Sequence, residues 1–372
     1  MRVLVAPDSF KGSMSAVEVC DITRRALEAS LDECQVDCIP VADGGEGTLD
    51  SFVFACGATL FSAKVTAPDY RQIDAKFAVM GDTAIIEMAQ ASGLPLTGDK
   101  NDPVRATSYG TGELILAAVD EGCRNIVLGI GGSATTDGGI GCLSALGVRF
   151  YSAVGETVSP DGQGMSEVER IDLSGIDPRI SRCSFTVLCD VNNPLYGENG
   201  AAYIYSPQKG ADKETVLFLD SALRNYEKAL IASIGVDCAG LSGSGAAGGM
   251  GYGLRAVLDA QLRAGAQAVF DICDFDSRAK AADVIITGEG KFDRQSLMGK
   301  VPAEVIKRAG DKPVLVLCGV SDMTQVQSVA AVFETNPSHL PFEEVLPGCK
   351  ESLYTAVFDG VAGFLKKFEK NS

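Results

Sequence analysis

Arg2-Val3-Leu4-Val5-Ala6-Pro7, followed at once by Asp8-Ser9-Phe10-Lys11-Gly12, opens the chain. A short apolar run stopped by proline suits a strand buried on both faces of a parallel sheet. Apolar residues at Val17, Cys20, Leu27 and Leu31 then predict a helix between Ser13 and Leu31, capped by Ser13 or Ser15. A second strand over Gln35 to Pro40 leads into the glycine-rich loop 41–47, and a helix over Thr48 to Cys56 follows. This is the βαβα opening of a doubly wound sheet. The same grammar returns near the other end. Strands are expected over Asp283 to Ile286, Pro313 to Leu317 and Ala330 to Phe333, with helices over Val301 to Ala309 and Thr355 to Phe368. Between these blocks Leu60 to Thr66, Ile73 to Met80 and Thr83 to Met88 read as antiparallel strands, joined at Pro68-Asp69 and Gly81-Asp82.

The expected fold is therefore α/β with two domains. One is a flavodoxin-like doubly wound parallel sheet formed by both termini, residues 1–60 and 281–372; the other, 61–280, is an inserted α/β domain with a mixed sheet. In a sheet of order 2-1-3-4-5 the ligand crevice lies at the carboxyl ends of strands 1 and 3, where the winding reverses. Strand 1 ends at Asp8-Ser9-Phe10-Lys11, and strand 3 at Gly288-Glu289-Gly290-Lys291-Phe292-Asp293. Two segments far apart in sequence, each with an acid and a lysine, are thus expected to face one another.

With 372 residues, 46% hydrophobic and 22% charged, the chain has ample material for more than one core. Its net charge of −17 and lack of a basic run argue against nucleic acid as a partner. No window reaches the ~20 apolar residues of a membrane span, and no leader pattern precedes the first strand, so a cytoplasmic protein is expected. Twelve cysteines without a CxxC pair, and a single histidine (His339), favour buried thiols over a metal cluster or histidine catalysis. Homo-oligomerisation is left open.

Other segments could carry chemistry. Asn125 to Ile130 reads as a strand entering Gly131-Gly132-Ser133-Ala134-Thr135-Thr136-Asp137-Gly138-Gly139, where glycines, hydroxyls and a helix start suggest an anion cradle. Asp190 follows the apolar strand Phe185 to Cys189, beside Asn192 and Asn193, and suits a general base or metal ligand; an Asx turn is the structural alternative. Lys209, in Ser206-Pro207-Gln208-Lys209-Gly210, suits phosphate. Gly243 to Gly248 matches GxGxxG, but no strand directly precedes it, so a glycine-rich loop before a helix over Leu254 to Ala264 is the preferred reading. Walker A and protein-kinase signatures are absent.

Taken in order, APDSFKGSMSA (6–16), VADGGEGT (41–48), IGGSATTDGG (130–139), CDVNNPL (189–195), SPQKGA (206–211), GSGAAGGMGYGL (243–254) and TGEGKFDRQSLMGKVP (287–302) resemble the bacterial type 1 glycerate kinases. The resemblance implies transfer of the ATP γ-phosphate to D-glycerate with Mg²⁺, giving 2-phosphoglycerate or 3-phosphoglycerate. On position and chemistry, both substrates are expected in a cleft between the domains, with Asp190 as the first choice for the base. Lys11 and Lys291 would neutralise phosphate charge, and Asp8 and Asp293 would bind Mg²⁺ or replace Asp190 as base. Gly131, Gly132, Ser133, Thr135, Lys209, Gly288 and Gly290 complete the expected nucleotide-binding set. The rival readings are an NAD(P)-dependent oxidoreductase of a small hydroxy acid and a non-enzymatic small-anion binding protein.

Overall fold

The opening strand Arg2–Pro7 lies inside a parallel sheet, between Gln35–Cys38 on one side and Val284–Phe292 on the other. The structure, a computed structural model, describes residues 1–42, 44–323 and 326–371. By packing, the chain divides into one unit of Met1–Ala42, Asp50–Gly57 and Ala266–Ser372, and a second of Asp43–Leu49 and Ala58–Gly265.

In the first unit five described strands run in the order Ala331–Glu334, Val314–Ser321, Val284–Phe292, Arg2–Pro7, Gln35–Cys38. Numbered by their order along the chain within this unit, that is 5-4-3-1-2, every pair is parallel, and the flavodoxin-like winding is present. Val3, Val5, Val284, Ile286, Leu315 and Leu317 meet helix side chains in a continuous core. One of those helices, Ala16–Ser30, begins with a capping box. Ser15 Oγ accepts from the Glu18 N–H, and Glu18 in turn accepts from the Ser15 N–H at 2.8 Å. Its inner stripe is Val19, Cys20, Ile22, Ala26 and Leu27; of the expected apolar face, Cys20 and Leu27 lie in it, Leu31 packs against the same core and Val17 is half-buried beside it.

One element differs from expectation in a way that matters. The strand expected to end at Ile286 runs on to Phe292, because Lys291 and Phe292 still pair with Val320 and Ser321 of the neighbouring strand. The segment Thr287 to Phe292, expected as a loop, is therefore sheet. Glycine makes this feasible: a Cβ on Gly288 would lie 2.1 Å from the Leu317 carbonyl oxygen.

The second unit carries the mixed sheet Gln261–Arg263, Ser184–Leu188, Asn125–Gly129, Thr83–Glu87, Gln72–Met80, Thr59–Thr66. Its first four strands are parallel and its last two antiparallel. The helix expected over Leu254 to Ala264 is instead Ala246–Leu258, and Gln261–Arg263 is an edge strand.

The division also differs from 1–60, 61–280 and 281–372. Helices Gly265–Ile272 and Phe275–Ala281 pack almost wholly with the first unit, where the Phe270 and Phe275 rings meet at 4.4 Å and Arg308 bonds Asp271 at 2.6 Å. The loop before residue 50 goes with the second unit, since Gly44 O accepts from Gly131 N and Leu49 N donates to Glu87.

Gly288→Ala is expected to lower stability by about 1–3 kcal/mol, the range for an overpacked core site. Urea-induced unfolding followed by circular dichroism checks this.

Candidate active site

The carboxyl ends of Arg2–Pro7 and Val284–Phe292 frame a pocket of about 500 Å³ within the first unit. It gathers Asp8, Lys11, Glu289, Lys291, Asp293 and Lys300. The register explains the meeting: Pro7 pairs with Gly288, and the Asp8 N–H donates to the Gly288 carbonyl at 2.8 Å. Lys11 is exposed. Lys291 bridges to Asp322 at 2.8 Å, which raises the lysine above its ordinary range, and Lys300 bridges to buried Glu289 at 3.2 Å. Gly290 lines the pocket, whereas Gly288 stays within the sheet and contributes its carbonyl to Asp8.

The two expected metal ligands have further duties. Asp8 Oδ1 accepts from the Ser9 N–H at 2.6 Å. Asp293 caps the short turn Arg294–Leu297, accepting from the Gln295 N–H at 2.8 Å. Among the described residues no group of three acids, cysteines or histidines is placed to enclose a metal.

The second unit has its own pocket, about 450 Å³, where Gly131, Gly132, Ser133, Asp190, Tyr205 and Lys209 come together. Lys209 is 2% exposed. Its ammonium donates to Ser133 Oγ at 2.8 Å and to the Thr135 carbonyl at 2.6 Å. Burial pushes it down to about 7, opposed by the nearby charge of Asp137. Thr135 thus reaches the site through its carbonyl, since its own hydroxyl is buried without a partner among the described residues. Asp190 is exposed on the pocket wall, anchored by the Gly265 N–H at 2.8 Å. Asn193 supports this loop, accepting from Tyr205 Oη at 2.5 Å and donating to the Asn199 carbonyl at 2.8 Å.

The anion cradle expected over residues 131–139 is only half available. Its inner half is filled by the protein's own carboxylate: fully buried Asp137 accepts from Ser108 N and Oγ, Gly139 N and Gly141 N. Burial nevertheless holds Asp137 above the ordinary carboxyl value. Gly131 to Ser133 remain on the pocket wall. The GxGxxG segment is also committed to packing. A Cβ on Gly248 would fall 2.2 Å from the Thr135 carbonyl oxygen, and Ala247, Gly248 and Gly249 take left-handed conformations. Glu87 is held by the Leu49 N–H and by Gln90.

Sequence reasoning passed over Glu289 and Tyr205, and read Asp137 only as part of the cradle. Glu289 had a signal, an acid between two glycines at a strand's carboxyl end. Tyr205 had none, and the buried role of Asp137 comes from Ser108, distant in sequence.

Fold and pockets together describe an α/β protein with two clefts that each combine lysine and carboxylate. The model of the glycerate kinase family matches residues 3–363. A glycerate kinase of Bacillus cereus is 42% identical over 95% of both chains. The glycerate 2-kinase of Escherichia coli K12 is 40% identical over 96% of both. A crystal structure from Salmonella typhimurium LT2, assigned to glycerate kinase 2, superposes with a TM-score of 0.89 at 39% identity, covering 100% of this chain and 99% of that one. The chain belongs to the glycerate kinase family, and it is a kinase of that family.

The depressed Lys209 makes stability depend on pH in a defined direction. Between about 7 and 10.5 the unfolded chain holds a proton that the folded chain has released, so this residue's contribution rises with pH across that window. Below pH 7 the full cost of burying the ammonium persists. Lys209→Met removes the effect: the melting temperature of the parent relative to the variant should climb from pH 7 to pH 10 and stay flat below pH 6, as read by calorimetry.

Proposed function

We propose that this chain is a cytoplasmic enzyme that phosphorylates D-glycerate with ATP and Mg²⁺, giving 2-phosphoglycerate or 3-phosphoglycerate. The observation that supports the reading most directly is the pairing of exposed Asp190 with buried Lys209 and Ser133 on one pocket. A hydroxy acid needs one cation for its carboxylate and one base for the hydroxyl that attacks phosphorus. Lys209, expected above in the nucleotide set, is reassigned here to the carboxylate, with Asp190 as the base; Asp190 is already fixed by the Gly265 N–H, so it accepts a proton without losing its place. The Gly131 to Ser133 backbone bears on the same anion.

The lysines of the first unit, Lys11 and Lys291, neutralise phosphate charge, with Gly290 leaving room for phosphate oxygens. Asp8 and Asp293 would hold Mg²⁺, which when bound to the nucleotide draws charge off the γ-phosphate. Phosphoryl transfer asks the protein mainly for positioning and charge compensation, and these are the residue types present. The oxidoreductase alternative loses support because the GxGxxG glycines are packed against the protein, Gly243 on Cys189, Gly245 on Pro194 and Gly248 on Thr135 and Thr136, rather than opening a βαβ unit.

Asp190→Asn keeps an acceptor for the Gly265 N–H while abolishing the base. Glycerate-dependent ADP release should fall about 10²–10⁴-fold; a rate within about threefold of the parent rejects the assignment. Phosphorus NMR of the product from D-glycerate identifies the hydroxyl that is phosphorylated.

A further inference from the structure

The pocket of the first unit has a property that its lysines and acids do not explain. Its rim carries Leu340, 49% exposed, and Phe342, 47% exposed, while Phe10 lies buried at its wall. The rim is held in place: Asn336 donates to the Leu340 carbonyl at 2.9 Å and accepts from the Leu340 N–H at 3.1 Å. Its aromatic ring lies beside the loop bearing Lys11. A Cβ on Gly12 would sit 3.2 Å from Phe342 Cζ, so the ring covers the residue next to that lysine.

We infer that this pocket binds the whole nucleotide, with the purine stacked on Phe342 and the phosphates on Lys11, Lys291 and Lys300. The inference rests on the kinase reading and adds where the base of the nucleotide is held. Charge separates the two pockets. A triphosphate with Mg²⁺ calls for several cations and one or two carboxylates, and the first unit offers three lysines beside Asp8, Asp293 and Glu289, the last paired with Lys300. Glycerate, a three-carbon monoanion, calls for one cation and one base, which is what Lys209 and Asp190 provide. Glycerate also has no flat apolar face to cover Phe342, whereas a purine does. Aromatic stacking tolerates any base, so Phe342 sets affinity for purine nucleotides as a group rather than selecting adenine.

The test uses the full chain and three variants, Phe342→Ala, Phe342→Trp and Lys11→Met. MgADP binding is measured by titration calorimetry, alongside KM for ATP and for D-glycerate and inhibition by inorganic tripolyphosphate. Phe342→Ala should weaken MgADP and raise KM for ATP about tenfold or more. Its KM for D-glycerate and its tripolyphosphate inhibition should stay near the parent values, and Phe342→Trp should restore nucleotide binding. Lys11→Met should weaken tripolyphosphate as well as ATP, a response that lost packing at Phe342 would not give. If Phe342→Ala raises KM for D-glycerate while leaving ATP unchanged, the pocket takes the acceptor and the inference is wrong. Unchanged MgADP binding in both alanine and methionine variants also overturns it. Failure of the parent to release ADP with glycerate would reject the kinase reading instead, while calorimetry with MgADP still decides the pocket.

Discussion

Everything at the first pocket depends on the parallel pairing of Arg2–Pro7 with Val284–Phe292. Five residue pairs from Val3↔Val284 to Pro7↔Gly288 fix the register, and the Asp8 N–H continues it to the Gly288 carbonyl. A shift by one residue would turn Val3 and Val5 out of the core they share with Ile286 and Leu317. The same shift would carry Asp8 and Lys11 away from Lys291 and Lys300. Core packing and placement of charge are thus secured by one set of backbone hydrogen bonds.

The second unit solves a different problem, holding ionisable groups out of water beside a ligand surface. Asp137 is given four donors and Lys209 two acceptors, so neither is left bare. Asp137 ties residues 108, 139 and 141 together, and Lys209 ties its own turn to Ser133 and Thr135. The glycine-rich loop is therefore braced from behind while Gly131 to Ser133 remain at the pocket. Preorganisation of this kind leaves little reorganisation for the moment of reaction.

Much of this was legible in the residues. The apolar run at Arg2 to Ala6 and its counterparts near 284, 314 and 331 sufficed for the winding, because buried parallel strands read as unbroken hydrophobic stretches. The antiparallel segments 59–87 were marked by their turns. The extension of Val284 to Phe292 was not legible, since glycine and charge look like loop, and only the partner strand at Val320 and Ser321 keeps them in the sheet. Nor was the filling of the 131–139 cradle, because Asp137 reads as a helix cap until Ser108 is seen to face it. Asp190 and Lys209 were recognisable as residue types, but the depth of Lys209 depends on chain more than 70 residues away.

The pairing of the chain's first strand with one that begins at residue 284 also orders events during synthesis. When Arg2–Pro7 leaves the ribosome, the only partner it has soon available is Gln35–Cys38. Its second partner follows on the order of 15 to 60 s later at ordinary elongation rates. Meanwhile the segment 58–265, whose strands pair among themselves, can complete its own sheet. Until then the nascent chain carries an apolar, parallel strand–helix–strand unit whose first strand has its inner edge open. Capping that edge waits for Val284–Phe292, so a transcript truncated before that strand would yield a finished second unit and an unprotected, adhesive first one.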